Sequence, residues 1–131
     1  MSELLLGRDA CEIAARWGVS SALIGKLQSA ASNFEHETRR EVRLISGYRT
    51  QEEQDALEES GRPTAPDYLS THRTCPATGV DVSFGFLPTR HHKATWGHYV
   101  TLEGLRWGGG GPLDEDHLPL DWGHVDEGPR A

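Results

Sequence analysis

Three stretches of the chain carry side chains able to ligate a metal ion or move a proton: Ser70-Thr71-His72, Asp81, and Asp121-Trp122-Gly123-His124. His72, Asp81 and His124 together offer two imidazoles and one carboxylate. That donor set fills three positions on zinc and leaves the fourth for water, as a catalytic zinc site requires. If Asp81 lies on a strand, it points away from the apolar face of Val80 and Val82. A carboxylate there needs a partner, and a metal ion is one. Seven histidines in 131 residues make some His/Asp/His triple expected from composition alone. The bare triple is therefore more often a set of surface or hydrogen-bonded side chains than a metal site.

The elements that must position these residues can be read from capping signals and apolar spacing. Asp9 followed by Glu12 has capping-box spacing, Gly18 can end the helix, and Ile13 and Trp17 share one face. A second helix is expected from Ser20 or Ser21, with Leu23, Ile24, Leu27, Ala31 and Phe34 as its buried stripe and the polar run Glu35 to Arg40 as its solvated end. Val42 to Ser46 reads as a short strand, followed by a turn at Ser46-Gly47-Tyr48-Arg49. Thr50 and Glu53 make another capping pair, so Gln51 to Ser60 should be helical up to Gly61. Prolines 63, 66 and 76 mark Arg62 to Thr78 as a loop. Val80 to Phe86 alternates as a strand does, with Val80, Val82, Phe84 and Phe86 opposite Asp81 and Ser83. A helix is expected within Thr89 to Glu103, interrupted by Gly97. Gly108 to Pro112 reads as a loop, and Asp121 to Asp126 as a final short strand.

The length, 131 residues, is that of one domain. The formal charge of −7 argues against a nucleic-acid partner, which would need a basic face to displace counterions. No apolar run is long enough to span a membrane. Met1-Ser2-Glu3 does not open a secretory signal. Cys11 and Cys75 form neither a disulfide framework nor a CxxC zinc pattern and read as free thiols.

Four segments, in order, resemble those of a known family. Ser46-Gly47-Tyr48-Arg49-Thr50 with Gln54 is similar to its SGYR-S/T-x-x-x-Q segment. Ser70-x-His72 followed by Val80-Asp81 resembles its S-x-H metal segment. Gly104-Leu105-Arg106-Trp107-Gly108-Gly109 is similar to its GLRWGG segment, and Asp121-x-x-His124 with Val125-Asp126 to its acid-x-x-His ending. The family is that of the D-alanyl-D-alanine carboxypeptidases and L-alanyl-D-glutamate peptidases, the VanY-like zinc peptidases that include phage endolysins. The step from His72 to Asp81 is longer than the family's, and Gly79 stands where the family has alanine.

The resemblance implies a small single α+β domain over residues 1–131, of the hedgehog/DD-peptidase type. Its N-terminal helices would occupy residues 1–40 and its metal-site core residues 41–131, with helices packed on one side of an antiparallel sheet. It implies one zinc ion held by His72, Asp81 and His124. The longer step places Cys75 near the site, and since thiolate binds zinc well, Cys75 in place of Asp81 is an alternative ligand. Asp121 would be the general base and then the general acid. Arg49 would polarise the scissile carbonyl, and Ser70, Gln54 and Tyr48 would contact substrate. The implied function is hydrolysis of a peptidoglycan stem-peptide bond, either L-Ala-D-Glu or D-Ala-D-Ala, by a monomeric, endolysin-like enzyme that is cytoplasmic before release at lysis or is virion-associated. Two rivals stand beside it: a zinc-stabilised binding module without turnover, and an intracellular D-Ala-D-Ala dipeptidase.

Plainer readings exist for single residues. Arg49 can pair with Glu52 or Glu53 at the surface. Trp107 and Trp122 are more often core than substrate platform. His91 and His92 with Arg90 and Lys93 read as a solvated basic patch, and His36, His98 and His117 as structural or exposed.

Overall fold

In the computed structural model, the described residues are 2–47 and 78–128. They form an α+β arrangement of three α-helices and a five-stranded antiparallel sheet. Strand β1 (Glu3–Leu4) is followed by α1 (Ala10–Trp17), α2 (Ser21–Thr38), β2 (Arg43–Ser46) and β3 (Gly79–Ser83). Then come α3 (Arg90–Leu102), β4 (Arg106–Trp107), a 3-10 turn (Gly108–Gly110) and β5 (His124–Asp126). The strand order is β1-β2-β3-β5-β4.

The helices start and stop where short side chains can satisfy their ends. The Asp9 carboxylate accepts from the backbone N–H groups of Cys11 and Glu12, and Gly18 closes α1 in the left-handed conformation at φ 67°. Ser20 caps α2 by accepting from Leu23 N. The α2 stripe is buried as expected: Leu23, Ile24, Leu27, Ala31 and Phe34 are all inaccessible to solvent. Each large apolar side chain hidden this way contributes about 1.5–3 kcal/mol. The helix runs to Thr38, so the polar run after Phe34 is still largely helical.

Strand β1 was not foreseen. It pairs with β2 and is pinned by Glu3, which accepts from Arg16 Nε at 3.0 Å and from Trp17 Nε1 at 2.8 Å. The N-terminal part of the chain thus supplies an edge strand as well as helices. Gly47, just after β2, passes so close to α1 that a Cβ there would lie 2.5 Å from the Trp17 carbonyl oxygen. Glycine at this position is a packing requirement.

The sheet has one core face. Leu44, Val80, Val82 and Val125 join Phe34, Trp96 and Val100 from the helices in a single buried cluster. Leu44 pairs with Val82, and Val80 with Val125, so these side chains line up on one side of the pleat. The β2–β3 ladder carries a bulge between Leu44 and Ser46, which places Ser46 opposite Asp81.

Helix α3 corrects one expectation. Gly97 does not interrupt it; the helix is continuous because Gly97 is the notch that receives the Trp107 ring, and a Cβ there would fall inside the indole. His92 is also not simply part of a solvated patch. It completes a capping box with Thr89, and its ring meets Phe86 edge-on at 4.9 Å. Trp107 and Trp122 are half-buried and pack against the core cluster. The expected helix Gln51 to Ser60 and all but the last residue of the expected loop Arg62 to Thr78 lie outside the described residues.

Candidate metal centre

The register of β3 and β5 builds the site. Asp81 stands directly opposite His124. Cross-strand partners project to the same side, and here that side is the one opposite the valine face. His124 Nδ1 lies 3.2 Å from Asp81 Oδ1. Asp121 reaches the same place from a turn rather than a strand. The expected strand Asp121 to Asp126 begins only at His124, because the chain bends through residues 121–123, with His124 N donating to the Asp121 carbonyl at 3.0 Å. Gly123 permits the bend: a Cβ there would lie 2.6 Å from the Val82 carbonyl oxygen, whereas the Gly123 carbonyl accepts from Val82 N at 2.8 Å.

Asp81, Asp121 and His124 each direct one ligand atom into a common space, all within 4.8 Å of one another. Two ligands on one tetrahedral zinc lie about 3.4 Å apart, given bonds of about 2.0–2.2 Å, so the Asp81–His124 pair is already near that spacing. Two carboxylates and an imidazole are suitable donors for zinc and for other first-row divalent ions. Among the described residues this is the one group of three or more His, Cys, Asp or Glu side chains so arranged. Of the expected ligands, Asp81 and His124 come together and Asp121 joins them. His72, the alternative ligand Cys75, and the expected Tyr48, Arg49, Gln54 and Ser70 lie outside the described residues.

The residue that spacing alone did not single out is Asp126. It is fully buried, and its Oδ2 lies 2.7 Å from His124 Nε2. Arg106, its partner across the ladder, donates to both carboxylate oxygens, from Nε at 2.9 Å and from Nη2 at 2.8 Å. The available signal was the alternation His124-Val125-Asp126, which on a strand puts the histidine and the aspartate on one face around a core valine. The glycine turn after β4 closes over this group: a Cβ on Gly109, which sits at φ 66°, would lie 3.1 Å from the His124 ring edge.

This setting governs the charges. Burial by itself would favour neutral imidazole, but the hydrogen bonds and charges of Asp126 and Asp81 outweigh it and raise the His124 pKa to about 9 in the metal-free protein. Burial likewise would raise Asp126, yet His124 and Arg106 hold its pKa down to about 2. A raised histidine stabilises the fold below its unfolded pKa near 6.5 and ceases to do so as pH climbs through about 9. A depressed aspartate stabilises above about 3.8 and ceases to do so as pH falls through about 2. Urea unfolding of the metal-free protein should accordingly show a midpoint that declines steadily from pH 6.5 to pH 9; a midpoint rising over that interval would contradict the paired imidazolium.

No family model matches the chain, and no curated protein is significantly similar to it. Among the described residues, no helix is long and apolar enough to cross a membrane.

Proposed function

We propose that the chain is a zinc-dependent peptidase acting on the stem peptides of peptidoglycan, with the hedgehog/DD-peptidase type of architecture. The observation that carries this reading is the convergence of Asp81, Asp121 and His124 at adjacent strand and turn positions. It is supported by the order of the four sequence segments from Ser46 to Asp126, two of which supply these three side chains.

In this reading Asp81 and His124 would hold the zinc ion together with His72. Bound zinc supplies a Lewis acid and a water whose pKa is lowered to about 7. Asp121 takes up a proton on its carboxylate and passes it to the departing amine nitrogen. Its place on the turn, one hydrogen-bonded step from His124, keeps it beside the ligands. Arg49 holds the carbonyl oxygen of the scissile bond. The enzyme acts as a monomer in an endolysin-like role, reaching the wall by lysis or from a virion.

One observation favours a second reading. Asp81, His124, Asp126 and Arg106 already form a mutually compensated charge network, as a purely structural centre would. That corresponds to a zinc-stabilised binding module without turnover.

The experiment is zinc analysis of the purified full chain combined with digestion of purified peptidoglycan. One equivalent of zinc with new amino-terminal glutamate identifies L-Ala-D-Glu cleavage, and released D-alanine identifies carboxypeptidase action. Zinc without products from the wall supports the binding module. Hydrolysis of free D-Ala-D-Ala alone identifies a dipeptidase. Absence of both zinc and products overturns the proposal.

A further inference from the structure

We infer that Asp126, gripped by Arg106, is the positioning residue of the metal centre: it keeps the ring proton of His124 on Nε2 and leaves Nδ1 for the cation. The inference rests on the metal reading above and adds a residue that the ligand set does not contain.

A carboxylate has no hydrogen to give, so in the 2.7 Å contact between His124 Nε2 and Asp126 Oδ2 the ring nitrogen must be the donor. A neutral imidazole carries one N–H. Without a metal, Nδ1 donates in the same way to Asp81 Oδ1 at 3.2 Å; a cation bound there would displace that hydrogen and take the Nδ1 lone pair, while the remaining hydrogen stays on Nε2. Asp126 cannot turn away from this task. Its Oδ1 accepts from Arg106 Nε at 2.9 Å and from Gly128 N at 2.8 Å, and its Oδ2 accepts from Arg106 Nη2 at 2.8 Å. The close approach of Gly109 to the ring edge restricts swinging of the imidazole from the other side. Hydrogen-bonded partners of this kind orient a ligating histidine and raise its basicity.

The donors around Asp126 make an unusually specific test. In Asp126→Asn, the two N–H groups aimed at Oδ1 require the amide oxygen to occupy that position. The amide NH2 then faces His124 Nε2 and the Arg106 Nη2 donor. Nε2 is forced to accept, and the single ring hydrogen moves to Nδ1, where it competes with the cation. Zinc affinity should fall about 10–100-fold, the range typical for loss of such a partner.

The decisive measurement is a long-range 1H–15N correlation spectrum of the zinc-loaded full chain labelled on histidine nitrogens, paired with zinc titrations of the wild-type and Asp126→Asn proteins. Expected are a protonated Nε2 and a metal-bound Nδ1 for His124, and the weakened affinity in the variant. A role confined to folding would lower the variant's unfolding midpoint without moving its affinity. If the variant does not fold, the wild-type spectrum alone decides. Zinc bound through Nε2, or held equally tightly by a folded variant, overturns the inference while leaving the metal centre standing. A wild-type chain that takes no zinc overturns the metal centre, and the inference falls with it.

Discussion

Asp121→Asn is expected to lower peptide hydrolysis about 10²–10⁴-fold while leaving zinc content at the wild-type level. An amide of the same shape cannot take up a proton, so the substitution would remove the acid-base role proposed for Asp121 and little else. The turn that carries residue 121 is held by its backbone carbonyl, which accepts from His124 N at 3.0 Å, and that bond is indifferent to the side chain. Zinc content and the rate of peptidoglycan digestion, measured on the same preparation, separate the possible roles. Because the Asp121 carboxylate lies within 4.8 Å of the other two donors, it is also placed to ligate. Zinc lost in parallel with rate would make it a ligand, and undiminished hydrolysis would remove it from the chemistry altogether.

The second large effect lies beneath the site. Phe84→Ala should destabilise the protein by about 3–5 kcal/mol, as deletion of a buried aromatic ring does. Phe84 is the hub of the aromatic core. It stacks on Phe34 with ring centroids 4.7 Å apart and on Trp122 at 4.8 Å, and it meets Trp96 edge-on at 6.1 Å. Denaturant unfolding gives the stability change. Trp122 follows Asp121 directly, so the same substitution loosens the seat of the turn, and hydrolysis should fall even at temperatures where the variant is folded. A loss of less than about 1 kcal/mol, the range of tolerated core swaps, would show that the ring is not a hub.

What the sequence made legible was local. The caps at Asp9, Gly18 and Ser20 act over two to four residues, so their signals lie within the segments they control. The stripe of α2 and the alternation of Val80, Val82 and Phe84 were equally readable, since burial follows the periodicity of the backbone. The misreadings have tertiary causes. Gly97 looked like a helix breaker because its purpose, admitting the Trp107 ring, belongs to a residue ten positions away. Asp121 was expected on a strand because nothing in Asp121-Trp122-Gly123 announces the close pass of Gly123 over the Val82 carbonyl. The candidate site is legible as residue types and their order: Asp81 and His124 as ligands and Asp121 as a base all lie in the segments that resemble the peptidase family, whereas the third expected ligand, His72, lies outside the described residues. Asp126 was visible only as the tail of a motif. Its work depends on Arg106 arriving from the neighbouring strand, a matter of register that no single segment encodes.

Trp107 has a mechanical implication. Its ring is seated in the Gly97 notch of α3, and its Nε1 donates at 2.8 Å to the carbonyl of Trp122, between the carboxylate of Asp121 and the imidazole of His124 in the chain. One indole thereby rivets the helix to the bend that carries Asp121 and leads into His124. The helix and that bend are therefore coupled through one side chain of β4, so a displacement of α3 is passed to the turn that carries Asp121.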